Sequence, residues 1–188
     1  MSHDVEGRLS MTDFFATNPP STFISRWVAR LSVEFGSDTR ALDVACGRGR
    51  HSVVMAAAGF RTTGIDIQYD VLLDAKHAAR AAGLNHLSLA CADLTRLPLP
   101  RDHFNLIVVT RYLDRGMFPA LRNALVPGGV LLYETFTERQ REHGSGPTSE
   151  AHLLRPGELR MLAHGMDVLF DEEVFLPDAV ARITARRR

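Results

Sequence analysis

The chain reads as an α/β protein built on a doubly wound, mostly parallel seven-stranded sheet that closes with an antiparallel hairpin. Three observations predict this. From Arg40 onward, short apolar runs alternate with segments of helical periodicity, and strands that are apolar throughout and separated by helices form parallel sheets covered on both faces. Right-handed crossovers then place helices on either side. The last two strand-like runs are joined only by Leu176-Pro177-Asp178, far short of a parallel crossover, so they pair as a hairpin. The length, 188 residues, suits one domain that buries roughly 70% of the surface its unfolded chain exposes.

In order, Ala41–Ala45 is a buried strand and Arg50–Ala58 a helix stopped by Gly59. Arg61–Ile67 is the second strand. Asp70–Ala82 follows as a helix with Val71, Leu72, Ala75, Ala78, Ala79 and Ala82 on one face and Gly83 as its stop. Leu87–Ala92 and Phe104–Thr110 are strands three and four. A helix from about Gly116 to Leu125 leads into the turn Pro127-Gly128-Gly129, and Val130–Phe136 is strand five. Pro156–Ala163 is a helix, Met166–Phe175 a strand and Ala179–Ala185 the last strand. Residues 1–39 form an N-terminal segment in which Ser21 or Thr22 caps a helix carrying Phe23, Ile24, Trp27, Val28 and Leu31 at helical spacing. That helix covers the sheet, or else Phe14 to Phe23 folds over a ligand pocket. Residues 40–188 form the main domain.

Twenty-two basic and twenty-two acidic side chains cancel, so no global charge favours nucleic acid or an anionic membrane as a partner. Met1 to Thr12 lacks a basic start followed by an apolar stretch, so no signal peptide is expected. No segment approaches the roughly 20 apolar residues of a membrane span. Cys46 and Cys91 sit beside apolar runs, where a buried thiol is the default, and a cytoplasmic, reducing setting fits. Eight histidines show no ligand-like spacing, and no metal is assigned.

The informative stretch is Asp43-Val44-Ala45-Cys46-Gly47-Arg48-Gly49-Arg50-His51, which leaves a buried strand and enters a helix. It therefore lies at the carboxyl edge of the sheet, where open α/β sheets bind ligands. Gly47 and Gly49 allow a sharp turn and close approach of a ligand, and the free N–H groups of the following helix favour an anionic group. Asp66 stands at the end of the second strand, nineteen residues past Gly47, where a carboxylate can accept from both hydroxyls of a ribose. Asp93 ends the third strand, where it can accept from an exocyclic amine. Asp43 orients the turn or meets an ammonium group. Ala45, Cys46, Arg50, His51, Ile67, Leu94 and Thr110, along the same edge, complete the candidate cofactor-binding set.

A dinucleotide enzyme wants G-x-G-x-x-G, and Ser52 stands at its third glycine. The pattern acid-x-G-x-G-x-G is met by Asp43, Gly47 and Gly49, with Ala45 at the first glycine. This resembles motif I of class I S-adenosylmethionine-dependent methyltransferases. The resemblance extends over Ala41 to Arg188, through Asp66 and Asp93 as the ribose and adenine acids, the Pro127-Gly128-Gly129 turn and the terminal hairpin. Ala41–His51, Gly59–Asp66, Leu154–Leu159, Glu134-Thr135-Phe136 and Val180–Arg187 look like the small tellurite-resistance-type methyltransferases. The resemblance implies a seven-stranded sheet, S-adenosylmethionine as cofactor and transfer of its methyl group.

Methyl transfer is an in-line displacement, so the main requirement is to hold the acceptor and exclude water. The acceptor pocket is expected beyond strands four and five, near Thr110, Arg111, Tyr112, Glu134 and Thr135. Tyr112 and Arg111 are the candidate catalytic residues, the first to orient the acceptor or assist proton removal, the second to hold an anionic one. Glu138 to Leu153, about fifteen polar residues with His143 and His152, is long for a connector and reads as a lid or a disordered loop. Asn18-Pro19-Pro20-Ser21 has the outline of the amino-group DNA methyltransferase signature but stands far from strand four, and DNA modification is not expected. The closing Arg186-Arg187-Arg188 reads as a solvated end. With no added recognition domain in the chain, a small-molecule acceptor is expected, for a monomer or homodimer. The other readings are a non-catalytic S-adenosylmethionine-binding sensor or partner module, and then an NAD-dependent oxidoreductase.

Overall fold

The computed structural model describes residues 11–188 apart from Asn18 and Asp38, with side chains from Phe14 onward. Met1 to Ser10, and Asn18 of the Asn-Pro-Pro-Ser run, lie outside the described residues. Seven strands, β1 Arg40–Val44, β2 Arg61–Asp66, β3 Leu87–Cys91, β4 Phe104–Thr110, β5 Leu125–Phe136, β6 Met166–Val174 and β7 Val180–Arg187, form one sheet in the order β3-β2-β1-β4-β5-β7-β6. The first five run parallel, and β7 inserts antiparallel between β5 and β6. Among the described residues six α-helices accompany them: α1 Met11–Thr17, α2 Thr22–Phe35, α3 Arg50–Ala57, α4 Tyr69–Ala81, α5 Phe118–Ala124 and α6 Glu158–Leu162.

Two cores flank the sheet, and alternation along the central strands feeds both, because successive side chains point to opposite faces. Leu106 and Val108 of β4 join Val130 and Leu132 of β5 under Ile24, Val28 and Leu31 of α2. Ile107 and Val109 join Leu131 and Tyr133 under Phe118 and Leu121 of α5. Ser21 caps α2, its hydroxyl accepting from the Ile24 N–H, so the covering helix starts where its sequence signal stands.

Four expectations shift. The helix read over 116–125 is a 3-10 turn, Arg115–Met117, followed by α5, and β5 begins at Leu125. Here the Pro127-Gly128-Gly129 turn is a bulge within the strand: pairing jumps from Phe104–Leu125 to Leu106–Val130. Gly129 has no room for a side chain, since a β-carbon would sit 2.9 Å from the Val126 carbonyl and 3.0 Å from that of Phe104. Cys46 is buried, but Cys91 is exposed, because β3 is an edge strand and only partly covered. Glu138 to Leu153 is an ordered excursion with two 3-10 turns, Glu138–His143 and Glu150–His152. The buried Gln140 pins it, accepting from the Ala179 N–H at 2.7 Å and donating to the Ser145 carbonyl at 3.2 Å.

Candidate active site

Parallel register brings the carboxyl ends of four strands to one edge. Asp66 of β2 pairs with Cys91 of β3, and Thr110 of β4 with Glu134 of β5. The Cys46 N–H extends the ladder to the Ile65 carbonyl at 3.0 Å. Strand order reverses at β1, whose neighbours are β2 and β4, which makes its carboxyl end the switch point where such sheets open a crevice.

The turn leaving β1 is built from left-handed backbone. Ala45 has φ 54°, Gly47 φ 53° and Gly49 φ 75°. Gly49 begins α3 where it meets α4: a β-carbon there would lie 2.6 Å from that of Ala75. Gly47 differs, since nothing lies within 4 Å of where its β-carbon would be. One glycine serves helix packing and the other leaves open space beside the crevice. Asp66 closes the turn from across the edge, one carboxylate oxygen accepting the Gly47 N–H at 2.8 Å and the other the Gln68 N–H at 2.9 Å. Beyond it, Ile67 is 62% exposed, a large apolar side chain left uncovered beside a carboxylate.

The other acids differ. Asp43 is buried, accepts the Ser52 hydroxyl at 2.6 Å and leaves its second oxygen without a partner. Burial pushes its carboxyl up to about 7, against the pull of Ser52. It therefore acts on the turn and the start of α3 from below. Asp93 accepts the N–H and hydroxyl of Thr95 at 2.9 and 2.7 Å and faces Arg96 at 3.5 Å. Those Thr95 bonds hold its carboxyl below the ordinary value. Leu94 lies in the core beneath, and the Cys46 thiol, buried at the turn, is driven upward by that burial.

His51 links the crevice to the N-terminal segment. Its buried ring accepts the Ser21 N–H at Nε2, 3.0 Å away, so Nδ1 carries the proton and donates to Thr110 Oγ1 at 3.1 Å. Burial, with Arg50 and Arg111 nearby, holds its pKa well below the ordinary histidine value, which keeps the ring neutral. The Ser21 hydroxyl donates to Glu134 Oε2 at 3.0 Å, and Arg50 donates to the Pro19 carbonyl at 3.1 Å. Pro19–Ser21 is thus a strap across the ends of α3, β4 and β5. Under it lies a cleft of about 310 Å³ whose charged walls are Arg50, Arg111, Glu134, Asp178 and Arg182.

Arg111, which lines this cleft, and Tyr112 follow β4. Arg111 pairs with Asp178 at 2.9 Å. Tyr112 is half-buried, and burial, then the charges of Asp114 and Asp93, raises its phenol above the ordinary value. Sequence reasoning missed Asp178 and Arg182. Arg182 stands directly opposite Glu134 on one side and Glu172 on the other and bonds both, at 2.6 and 3.1 Å. Such a cross-strand row is invisible until register is known. His143 packs against Phe175 with ring centroids 4.5 Å apart, and His152 is exposed; neither lines the cleft.

Residues 41–129 match the family model described as a methyltransferase domain, and the sheet order with its terminal antiparallel hairpin is the fold of solved S-adenosylmethionine-dependent methyltransferases. TehB from Haemophilus influenzae superposes with a TM-score of 0.72 at 19% identity, covering 95% of this chain and 67% of that one. The [4+2]-cyclase SpnF gives 0.71 at 21% identity, covering 88% and 80%. By sequence, the chain is similar to the 23S rRNA (uracil(747)-C(5))-methyltransferase RlmC of Vibrio cholerae, 27% identical over 132 residues, 69% of this chain and 35% of that protein. The Serratia proteamaculans enzyme of the same name is 28% identical over 126 residues. The chain spans about a third of the length of these curated relatives. Among the described residues, no helix is long and apolar enough to cross a membrane.

Proposed function

We propose that this chain transfers a methyl group from S-adenosylmethionine to a small-molecule acceptor held under the Pro19–Ser21 strap. The observation that carries the reading is the cleft of about 310 Å³ that opens off the glycine-turn edge between β4, β5 and the strap, a volume at the lower end of small-ligand sites. Open space over Gly47 and the exposed face of Ile67 support a nucleoside beside it.

In this reading Asp66 accepts the ribose hydroxyls, Ile67 packs on the adenine, and Asp93 with Leu94 borders its amine. The Ala45–Gly49 turn, the start of α3 and Arg50 receive the carboxylate end, with Asp43 and Cys46 shaping the turn beneath. When bound, S-adenosylmethionine supplies a methyl carbon on a sulfonium; the acceptor atom's lone pair forms the new bond as the sulfur takes the electron pair of the old one. The protein's part is orientation and dryness. Neutral His51 ties the strap to Thr110 and keeps water from the end of β4. Tyr112, held protonated at neutral pH, serves as a hydrogen-bond donor that orients the acceptor.

Incubation with methyl-labelled cofactor and a cell extract separated by size tests the reading: label belongs in the low-mass fraction, and label in ribonuclease-sensitive material would replace it with an RNA acceptor. Asp66→Ala should weaken S-adenosylhomocysteine binding by about 1–3 kcal/mol, the range for losing a hydrogen bond to a charged group. Calorimetry showing unchanged affinity would remove Asp66 from the ribose role.

A further inference from the structure

The charges around the cleft differ in how firmly they are held. Arg182 is satisfied by Glu134 and Glu172. Arg50 is half-buried and donates to a neutral carbonyl, that of Pro19. A guanidinium in that setting favours an added anion; in the reading above, the cofactor's carboxylate supplies it. Arg111 is the movable member. Its side chain is 51% exposed, spans the Phe136 ring at 5.6 Å and holds Asp178 of the β6–β7 link by one contact of 2.9 Å. An exposed pair of this kind contributes about 0–1 kcal/mol, so another carboxylate can displace it at little cost. Arg111 also keeps a left-handed backbone, φ 54°, while its N–H donates to the Glu134 carbonyl at 2.9 Å. A bulky residue held in that region at the rim of a site points to a functional demand.

We propose that the acceptor is a small organic molecule bearing a carboxylate, and that it docks by taking the place of Asp178 on Arg111. This rests on the methyltransferase reading and names its substrate class. Asp178 is the intramolecular stand-in: it shows a carboxylate oxygen seated on Arg111 Nη2 at the mouth of the cleft. The guanidinium fork matches a planar carboxylate, while Pro20, Pro177 and Val180 offer apolar wall to an organic body. A carboxylate engaged by a guanidinium is a weakened nucleophile. The methyl group therefore goes to another atom of the same molecule, which forms the bond to carbon and gives up its proton, if it had one, to solvent.

The test uses the whole chain, as wild type, Arg111→Gln and Asp178→Asn, with methyl-labelled S-adenosylmethionine and a low-mass extract split on an anion-exchange resin. S-Adenosylhomocysteine binding is measured in parallel by calorimetry. Label should go to the retained, anionic fraction and survive mild base, which would strip a methyl ester. Arg111→Gln should raise the acceptor KM about tenfold or more, as for loss of a charge-assisted hydrogen bond, with S-adenosylhomocysteine affinity unchanged. Asp178→Asn removes the competitor and should lower KM by about two- to fivefold. Label confined to the unretained fraction, base-labile label, a wild-type KM in Arg111→Gln, or a raised KM in Asp178→Asn each overturns the proposal. If S-adenosylhomocysteine binds but no fraction takes label, the small-molecule reading itself fails and takes this inference with it.

Discussion

Ala45 occupies the first glycine position of the turn and holds φ 54° with a β-carbon in place, a conformation that costs an L-residue roughly 1–2 kcal/mol. Ala45→Gly removes that cost but adds unfolded-state freedom of about 0.5–1 kcal/mol, so a net gain of up to about 1.5 kcal/mol is expected in urea unfolding; a loss would mean the methyl group packs usefully. Asp43 makes the second prediction. Its folded pKa of about 7 lies above the ordinary 3.8, so the stability it contributes is complete below 3.8 and is lost as pH climbs through about 7. His51 runs the other way, its contribution present above its ordinary value of 6.5 and lost as pH falls. Comparing wild type with Asp43→Asn cancels the histidine: from pH 5 to pH 8 the wild-type urea midpoint should fall relative to the variant, and parallel curves would rule out a raised Asp43. The glycines and acids were legible because backbone freedom and charge are properties of single residues. That Asp43 lies buried on Ser52 while Asp93 is turned into its own loop was not, since side-chain direction depends on packing.

At the scale of elements, the strap is the feature the sequence showed only in outline. Ser21 was visible as a helix cap, and caps are local. Its grip on Glu134, 113 residues away, and on His51 depends on β5 ending beside β4. Ser21→Ala removes both the cap and one of the two partners of a buried carboxylate. A loss of about 1–2 kcal/mol is expected on unfolding, together with faster amide exchange at residue 21 as its N–H bond to His51 loosens. Unchanged exchange would show that the His51 bond alone anchors the strap. The Glu138–Leu153 excursion shows what composition leaves open. Its polarity and length read as a lid or a disordered loop, and in the fold Gln140 and the 3-10 turns hold it beside the β6–β7 hairpin. Polarity marks exposure of a segment, not whether its backbone is held.

For the whole molecule, the matched methyltransferase segment, 41–129, stops as β5 begins its buried run. The sheet cannot stop there. Val130 through Phe136 pair residue for residue with Arg186 through Val180, and Ile183 and Ala185 complete the core that holds Leu131 and Tyr133. The three-residue link made the hairpin legible in the sequence. Insertion of β7 between β5 and β6 was not legible, because strand order depends on which edge the hairpin meets. Ending the chain at residue 165 would expose β5 as a long apolar edge, a template for pairing with other chains, and would leave Arg111 and Glu134 without the Asp178 and Arg182 that complete the cleft. Such a fragment is expected to elute as aggregate and to lose the cooperative thermal transition of the full chain. A monomeric, cooperatively melting fragment would instead make the hairpin an accessory to the site, and would separate the part of this protein that folds from the part that selects its acceptor.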